Sequence, residues 1–482
     1  MNRRNFLKSI GALSVVGASG SILTSCDQET PPVDFIPGRV SQPLRIPATN
    51  YGSGEFIAAM GSVDIWKGLP SNVITINGAF LGPTIKVRKG NTLNINFTNG
   101  LTEPSNIHWH GLNVPADMDG HPKDAAPAGS SKRYTFPIVD RAGTYWYHAH
   151  PDMRTGYQAY MGLAGVLIVS DDEEDALNLP DREFDIPLVL QDKRLSTDNK
   201  IIWDKVRSDI PSGYLGETMF VNGTPDAYHE VTRGLYRLRF VNASNARIYM
   251  LGFEDKRTMH LIANDGGLLD KPYPMTEIKL SPGERVEVLV DFKSDLLGSS
   301  VRLKTLEYAF NSSHQNPDFP QGAEHTLVLF EVKLTTANTY TVPTTLTNYE
   351  KLDPTKAVNT RYFQFTMDHS REYGQHQINS LVFDMNRIDY TVKAGDLEVW
   401  EMENQGDAIH SMHIHGVEFQ IIDRSFDALK PNDLGWKDTL LINGSEFVRV
   451  AVRFNQNKGV YVFHCHNLEH EDDGMMVNVE VT

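Results

Sequence analysis

His464-Cys465-His466-Asn467-Leu468-Glu469-His470-Glu471-Asp472-Asp473-Gly474-Met475 places three imidazoles, a thiol and a thioether in one short run. A thiolate, two imidazoles and a weak axial thioether make up the ligand set of a blue-copper site. Cys465, His470 and Met475 supply three of the four. In an extended segment side chains alternate, so His464 and His466 share one face and Cys465 takes the other. One strand then serves a single-electron centre on one side and a second metal centre on the other, joined through the backbone of Cys465.

Three more clusters work outward from that run: His108-Trp109-His110-Gly111, His148-Ala149-His150, and His410-Ser411-Met412-His413-Ile414-His415-Gly416. Each His-x-His pair presents both rings on one strand face. His410 has the opposite parity from His413 and His415 and so reaches the side of Cys465. Ten of the chain's 17 histidines fall in these four groups, which makes the pattern far more specific than a lone pair. The other seven (His121, His229, His260, His314, His325, His369 and His376) are isolated and read as structural or surface residues.

In their order and spacing these motifs resemble those of the three-domain multicopper oxidases, a family that includes bacterial laccases and periplasmic cuprous oxidases. The resemblance spans the whole mature chain and implies four copper ions. It assigns His410, Cys465, His470 and Met475 to type 1 copper, and His108 and His413 to type 2. The type 3 pair takes His110, His148, His150, His415, His464 and His466. It further implies that Asp119 and Glu471 relay protons to the cluster, and that His470 is where the electron donor docks. Asp472 and Asp473 read as surface charge. The implied chemistry couples one-electron oxidation of a donor to four-electron reduction of O2 to water.

Internal repeats support three units. Val87-Arg88-Lys89-Gly90 leads to Asn99, Val231-Thr232-Arg233-Gly234 to Asn242, and Val392-Lys393-Ala394-Gly395 to Asn404. Gly143-Thr144-Tyr145-Trp146-Tyr147-His148-Ala149-His150 parallels Gly459-Val460-Tyr461-Val462-Phe463-His464-Cys465-His466, with Ala149 standing where Cys465 stands. Alternating Val, Ile, Thr and aromatic residues between Gly, Pro, Asn and Asp turns indicate antiparallel sandwiches. The expected fold is all-β, three cupredoxin-like Greek-key β-sandwich domains at 45–172, 183–336 and 357–482. A Thr-, Asn- and Pro-rich linker lies near 335–354. The middle domain lacks both metal motifs and reads as a spacer. The cluster is expected between the first and third domains, with type 1 copper inside the third.

Arg3-Arg4-Asn5-Phe6-Leu7-Lys8 resembles a twin-arginine export motif, and Leu23-Thr24-Ser25-Cys26 a bacterial lipobox. Residues 1–26 thus read as a signal and 27–44 as a tether, giving an exported, periplasmic or cell-envelope protein anchored through lipid on Cys26. The segment Ile10 to Leu23 is too short and too rich in Gly and Ser for a stable membrane span. Cys26 and Cys465 are the only cysteines. With one assigned to lipid and one to metal, no disulfide remains. Net charge is −16, and −19 once the signal's three cations are removed, which excludes nucleic acid as a partner. The expected partners are O2 and a small-molecule or metal-ion donor, for a monomeric protein.

The donor is read from what departs from the cuprous oxidase pattern. That subgroup carries a Met-rich insertion, whereas the 15 methionines here are scattered. It also carries an acid and a Met where this chain has Gly406 and Ala408, with Asp407 one position off. The leading expectation is a laccase-like oxidase of phenols or aromatic amines, the donor docking at the exposed edge of His470. The alternatives are a cuprous, manganous or ferrous oxidase and, from another class, a non-enzymatic exported scaffold.

Overall fold

The computed structural model describes residues 41–334 and 338–482. The signal, the lipobox Cys26 and most of the tether lie outside the described residues. Six sheets pair into three sandwiches. The first combines strands Leu69–Ile76, Ser53–Trp66, Thr92–Asn99 and Ser131–Pro137 with a sheet that includes Thr84–Arg88, Ala164–Ser170, Gly143–His148 and His108–His110. The second runs from Asp185–Lys193 to His325–Leu334, and the third from Asn359–Met367 to Met476–Val481. Each encloses its own apolar core. No helix among the described residues is long and apolar enough to cross a membrane.

The sheets are mixed rather than purely antiparallel. Each sandwich contains at least two long-range parallel pairings: Ser53–Trp66 with Thr92–Asn99 and Thr84–Arg88 with Ala164–Ser170 in the first. Asp185–Lys193 with Leu235–Asn242 and Ala227–Thr232 with His325–Leu334 follow in the second. In the third, Asn359–Met367 pairs with Leu397–Asn404 and Tyr390–Val392 with Met476–Val481. Greek-key connections pass from one sheet to the other, so a returning strand can pair in either direction.

The three repeated asparagines have one physical role. Asn99, Asn242 and Asn404 each accept a bond from the amide two residues on (Leu101, Ser244, Gly406), at 3.0–3.1 Å. Each side-chain NH2 donates to carbonyls further along, Glu103 and Ala126, Arg247 and Leu280, or Ala408 and Asn443. This closed turn reverses the chain after a core strand. In the outer sandwiches it feeds the strands His108–His110 and His410–Ile414.

Burial separates ordinary strands from functional ones. Thr92–Asn99 alternates between exposed and buried, as a sandwich strand with one solvated face should. Gly143–His148 and His410–Ile414 are buried at every residue, because their second face meets another domain. The stretch after residue 337 is irregular but fastened down. Asn338 bonds both main-chain groups of Leu235, Leu346 N donates to Asp270 O, and Leu352 N to Gln420.

Candidate metal centre

Strand register brings the histidine clusters together. His108 is directly opposite His148 in one antiparallel pair, and His413 opposite His464 in another. Cross-strand partners share a face, so each pair points into the interface between the first and third sandwiches. Met412 is opposite Cys465, and both turn into the third core. All eight cluster histidines are buried.

Ring tautomers follow from the hydrogen bonds. His108 Nδ1 bonds Asp119 O at 2.8 Å and His413 Nδ1 bonds Asp438 O at 2.9 Å. His148 Nδ1 bonds Ala149 O at 2.9 Å, His464 Nδ1 bonds Cys465 O at 3.0 Å, and His415 Nδ1 bonds Asp119 Oδ2 at 2.7 Å. Only an N–H can donate to these oxygens, so each ring's Nε2 is a bare lone pair. His110 is reversed: Nε2 donates to Asp438 Oδ1 at 3.0 Å, leaving Nδ1 bare.

Those bare nitrogens face one another. Nε2 of His108 and His413 are 3.3 Å apart, and Nε2 of His464 is 3.0 Å from that of His415; it is also 3.3 Å from Nε2 of His150, a ring whose tautomer no hydrogen bond fixes, its Nδ1 being without a partner. His110 Nδ1 is 3.4 Å from His148 Nε2, and the His466 ring, with neither nitrogen hydrogen-bonded, lies 5.0 and 5.2 Å from the His110 and His148 rings. Two buried lone pairs at hydrogen-bond distance repel unless a cation lies between them. A metal about 2.0–2.1 Å from each of two nitrogens 3.3 Å apart subtends roughly 110°, an ordinary coordination angle. The donors sort into a pair, His108 and His413, and two trios, His110–His148–His466 and His150–His415–His464.

Two carboxylates flank the cluster. Asp119 is fully buried, which raises its carboxyl well above the usual range, and Oδ1 has no hydrogen-bond partner. Glu471 lies 3.4 Å from His150 Nε2 and 3.2 Å from His464 Nδ1. Burial alone would raise its carboxyl, and the adjoining His150 and His464 act in the opposite direction to lower it.

On the other face, Cys465 Sγ is 3.6 Å from His410 Nδ1 and 3.5 Å from His470 Nδ1. Burial pushes the metal-free thiol up to about 12, so only a bound cation would draw off its proton. Met475 is buried in the same core and its main chain bonds Cys465 N and His470 O. The short helix Leu468–Asp472, capped by the Asn467 side chain, carries His470 back toward the sulfur.

Three expectations are corrected. His470 has no exposed edge: it is 1% exposed, with Nε2 3.4 Å from Pro211 O of the second domain and its ring 3.8 Å from that of His376. His376 is not an isolated structural histidine. It is buried with Nε2 unpartnered, and one nitrogen from each of His376, His410 and His470 lies within 4.8 Å of the others. Its ring is 6.4 Å from that of His314, whose Nε2 pairs with Asp407 Oδ1 at 3.2 Å. Asp472 is not surface charge, since its carboxylate accepts the Thr155 and Gly156 amides of the first domain at 2.9 and 3.0 Å. His376 carried no motif, and only the pairing of its strand with Asn359–Met367 brings it to the site.

Comparison with known proteins agrees on the family. Models described as multicopper oxidase match residues 58–174, 217–299 and 351–482. The chain is 34% identical over 443 residues to multicopper oxidase mco of Staphylococcus aureus, covering 90% of this chain and 89% of the relative. It is 32% identical over 484 residues to cell division protein FtsP of Escherichia coli strain K12, covering 98% and 97%. The crystal structure of McoA multicopper oxidase from Aquifex aeolicus superposes with a TM-score of 0.84 at 33% identity, over 92% of this chain and all of that one. With a sandwich fold, a matching length and this many buried metal donors, the chain belongs to the multicopper oxidase family.

Proposed function

We propose that this protein is an oxygen-reducing copper oxidase that takes single electrons from a small donor. The observation that carries the reading is the set of buried imidazole lone pairs facing each other on one side of Gly459–Cys465, with Cys465 and two histidines on the other. His108 and His413 would hold the type 2 copper. His110, His148, His150, His415, His464 and His466 would hold the type 3 pair, and His410, Cys465, His470 and Met475 the type 1 copper. Copper held by these residues would supply one-electron acceptance on the Cys465 side and four-electron reduction of O2 on the histidine side.

The chain's own groups handle protons. Asp119 Oδ1 faces the cluster without a partner and belongs to a carboxyl that burial keeps protonatable. Glu471 stays ionised, and bound cations would favour that state further. The pair offers one group that holds a proton and one that accepts it. The closed roof over the cluster excludes bulk water, since every donor is buried.

The donor is proposed to be a phenol or aromatic amine. Because Pro211 and His376 cover His470 and His410 is itself buried, the donor is proposed to give up its electron through the chain beside His410 rather than at an open ring edge. A cavity of about 490 Å³ reaches Ile409, the residue preceding His410, with Tyr308, Phe310 and Phe426 beside charged groups that include Glu277, Lys279 and Arg424. That size suits a small organic ring, with the aromatic side chains offering a stacking face and the charged groups partners for a phenol hydroxyl or an amine. The half-exposed Asp407 beside His314 favours the second reading, a metal-ion donor. A scaffold role like that suggested by the name cell division protein is disfavoured by the complete donor set. Export, and lipid on Cys26, are proposed from sequence alone.

The deciding test is oxygen uptake by the copper-loaded protein with a simple phenol and with cuprous ion under matched conditions. Faster uptake with the phenol is expected. Faster uptake with cuprous ion selects the metal-oxidase reading, and failure to bind copper selects the scaffold.

A further inference from the structure

The second sandwich does more than hold the outer two apart. Its turn Ser281-Pro282-Gly283-Glu284 is wedged into the cluster wall. Pro282 O accepts from Ser411 Oγ at 2.7 Å, and a Cβ on Gly283 (φ +86°) would come within 2.9 Å of the His466 ring and 3.1 Å of His110. The residue that follows this turn, Arg285, is completely buried and uses all five guanidinium N–H groups. Nε donates to Thr144 O of the first domain at 3.1 Å. Nη1 donates to Gly283 O at 3.0 Å and Asp438 Oδ1 at 2.7 Å, and Nη2 to Asp265 O at 3.0 Å and Asp438 Oδ2 at 2.5 Å.

Asp438, in the third domain, is therefore clamped at both oxygens. Its Oδ1 accepts His110 Nε2–H at 3.0 Å and Thr439 Oγ1–H at 2.8 Å, and its backbone oxygen accepts His413 Nδ1–H. His110, His413 and Asp438 by themselves form a possible metal triad, one ligand atom from each within 4.8 Å of the others. That triad points away from the paired lone pairs. The permanently charged guanidinium sits against it, so the triad's anion is already satisfied.

We propose that Arg285 is the positioning residue through which the second domain sets the polarity of the trinuclear site. By occupying the outer face of the His110–His413–Asp438 triad, it directs His110 Nδ1 and His413 Nε2 inward to copper. The inference rests on the copper-oxidase reading above. It places a residue from each domain at one node: His110 from the first, Arg285 from the second and Asp438 from the third.

The test is Arg285→Lys, which keeps the charge and loses the two-pronged grip, beside Arg247→Lys. Arg247 is equally buried in the same domain and bonded to Asp192 at 2.9 Å. Copper content and the ratio of type 2 to type 1 electron paramagnetic resonance signals are read on each. For R285K the blue band should persist while copper affinity at the cluster falls by roughly tenfold or more, seen as lost type 2 signal and copper content falling below four per chain. R247K should leave the ratio unchanged. Asp438→Asn should reproduce the R285K spectrum. The proposal is overturned if R285K keeps the wild-type ratio, if R247K loses it equally, or if R285K loses the blue band along with the rest. A wild-type protein that takes up no copper would instead sink the oxidase reading itself.

Discussion

The first and third sandwiches carry the same antiparallel strand pair to different ends, His108–His110 with Gly143–His148 in the first and His410–Ile414 with Gly459–Cys465 in the third. Counted from the shared histidines, the third places His410, Cys465, His470 and Met475 where the first has Ser105, Ala149, Arg154 and Ala159. In the first, Ser105 Oγ bonds Gln158, Arg154 pairs with Glu103, and Ala149 packs in an aromatic core with Trp109 and Tyr147. In the third, the equivalent space collects a thiol, a thioether and two imidazoles. Both strand pairs aim histidines into the shared interface. The strand's interface face is thus used alike in the two domains, while its core face decides which one receives electrons.

The largest effect should come from removing that difference. Cys465→Ser would make the two core faces alike, abolishing the intense blue colour and bringing oxidase turnover below detection. The metal-free protein should still fold, at a cost of about 1–3 kcal/mol for a hydroxyl in an apolar site. Chemical denaturation and absorption spectra check both parts, and a blue variant would break the comparison.

Acid should separate the two strand pairs next. In the first, Thr144 Oγ1 donates to Glu287 Oε1 of the second domain at 2.7 Å. Val460 holds the corresponding place in the third. Burial alone would raise the Glu287 carboxyl, but Arg237 and Arg239 hold it down to about 2, against an ordinary 4.5. A carboxyl lowered on folding stabilises the protein above its ordinary value, and that stabilisation is lost as pH falls from about 4.5 toward 2. The contribution is on the order of 3 kcal/mol. Amide exchange in Gly143–His148 should accelerate in that window more than in Gly459–Cys465. Equal acceleration would show that Glu287 does not anchor the strand Gly143–His148.

The smallest effect is expected from Ala149→Cys, which puts a thiol on the first strand pair where Ser105 and Arg154 stand in place of the imidazoles of His410 and His470. No second blue centre should form, copper content should not rise, and overpacking should cost about 1–3 kcal/mol. A second blue band would mean that the thiolate alone carries the difference between the domains.

Much of this was legible in the chain. Strand alternation, the repeated asparagine turns and the parity of His464, Cys465 and His466 depend on neighbours a few residues apart, and they were enough to indicate three β-sandwiches. The mixed strand directions were not readable, because alternation looks the same in parallel and antiparallel pairs. Nor was the covered edge of His470, whose roof comes from Pro211 and His376, distant in sequence and without any motif. Asp472 looked like one acid among several until its partners, two amides of the first domain, were in place.

Sequence by itself determined the kind of chemistry: which side chains can bind metal, and which face of each strand they occupy, since a two-residue period leaves no other choice. Tertiary structure alone decided how those donors are oriented. His110 turns its Nδ1 inward because Asp438 takes its Nε2–H, and Asp438 is aimed by Arg285, 153 positions away in the chain. Ligand identity is a local property of the sequence. Tautomer and direction depend on buried hydrogen bonds between domains, and these exist only once the domains have packed.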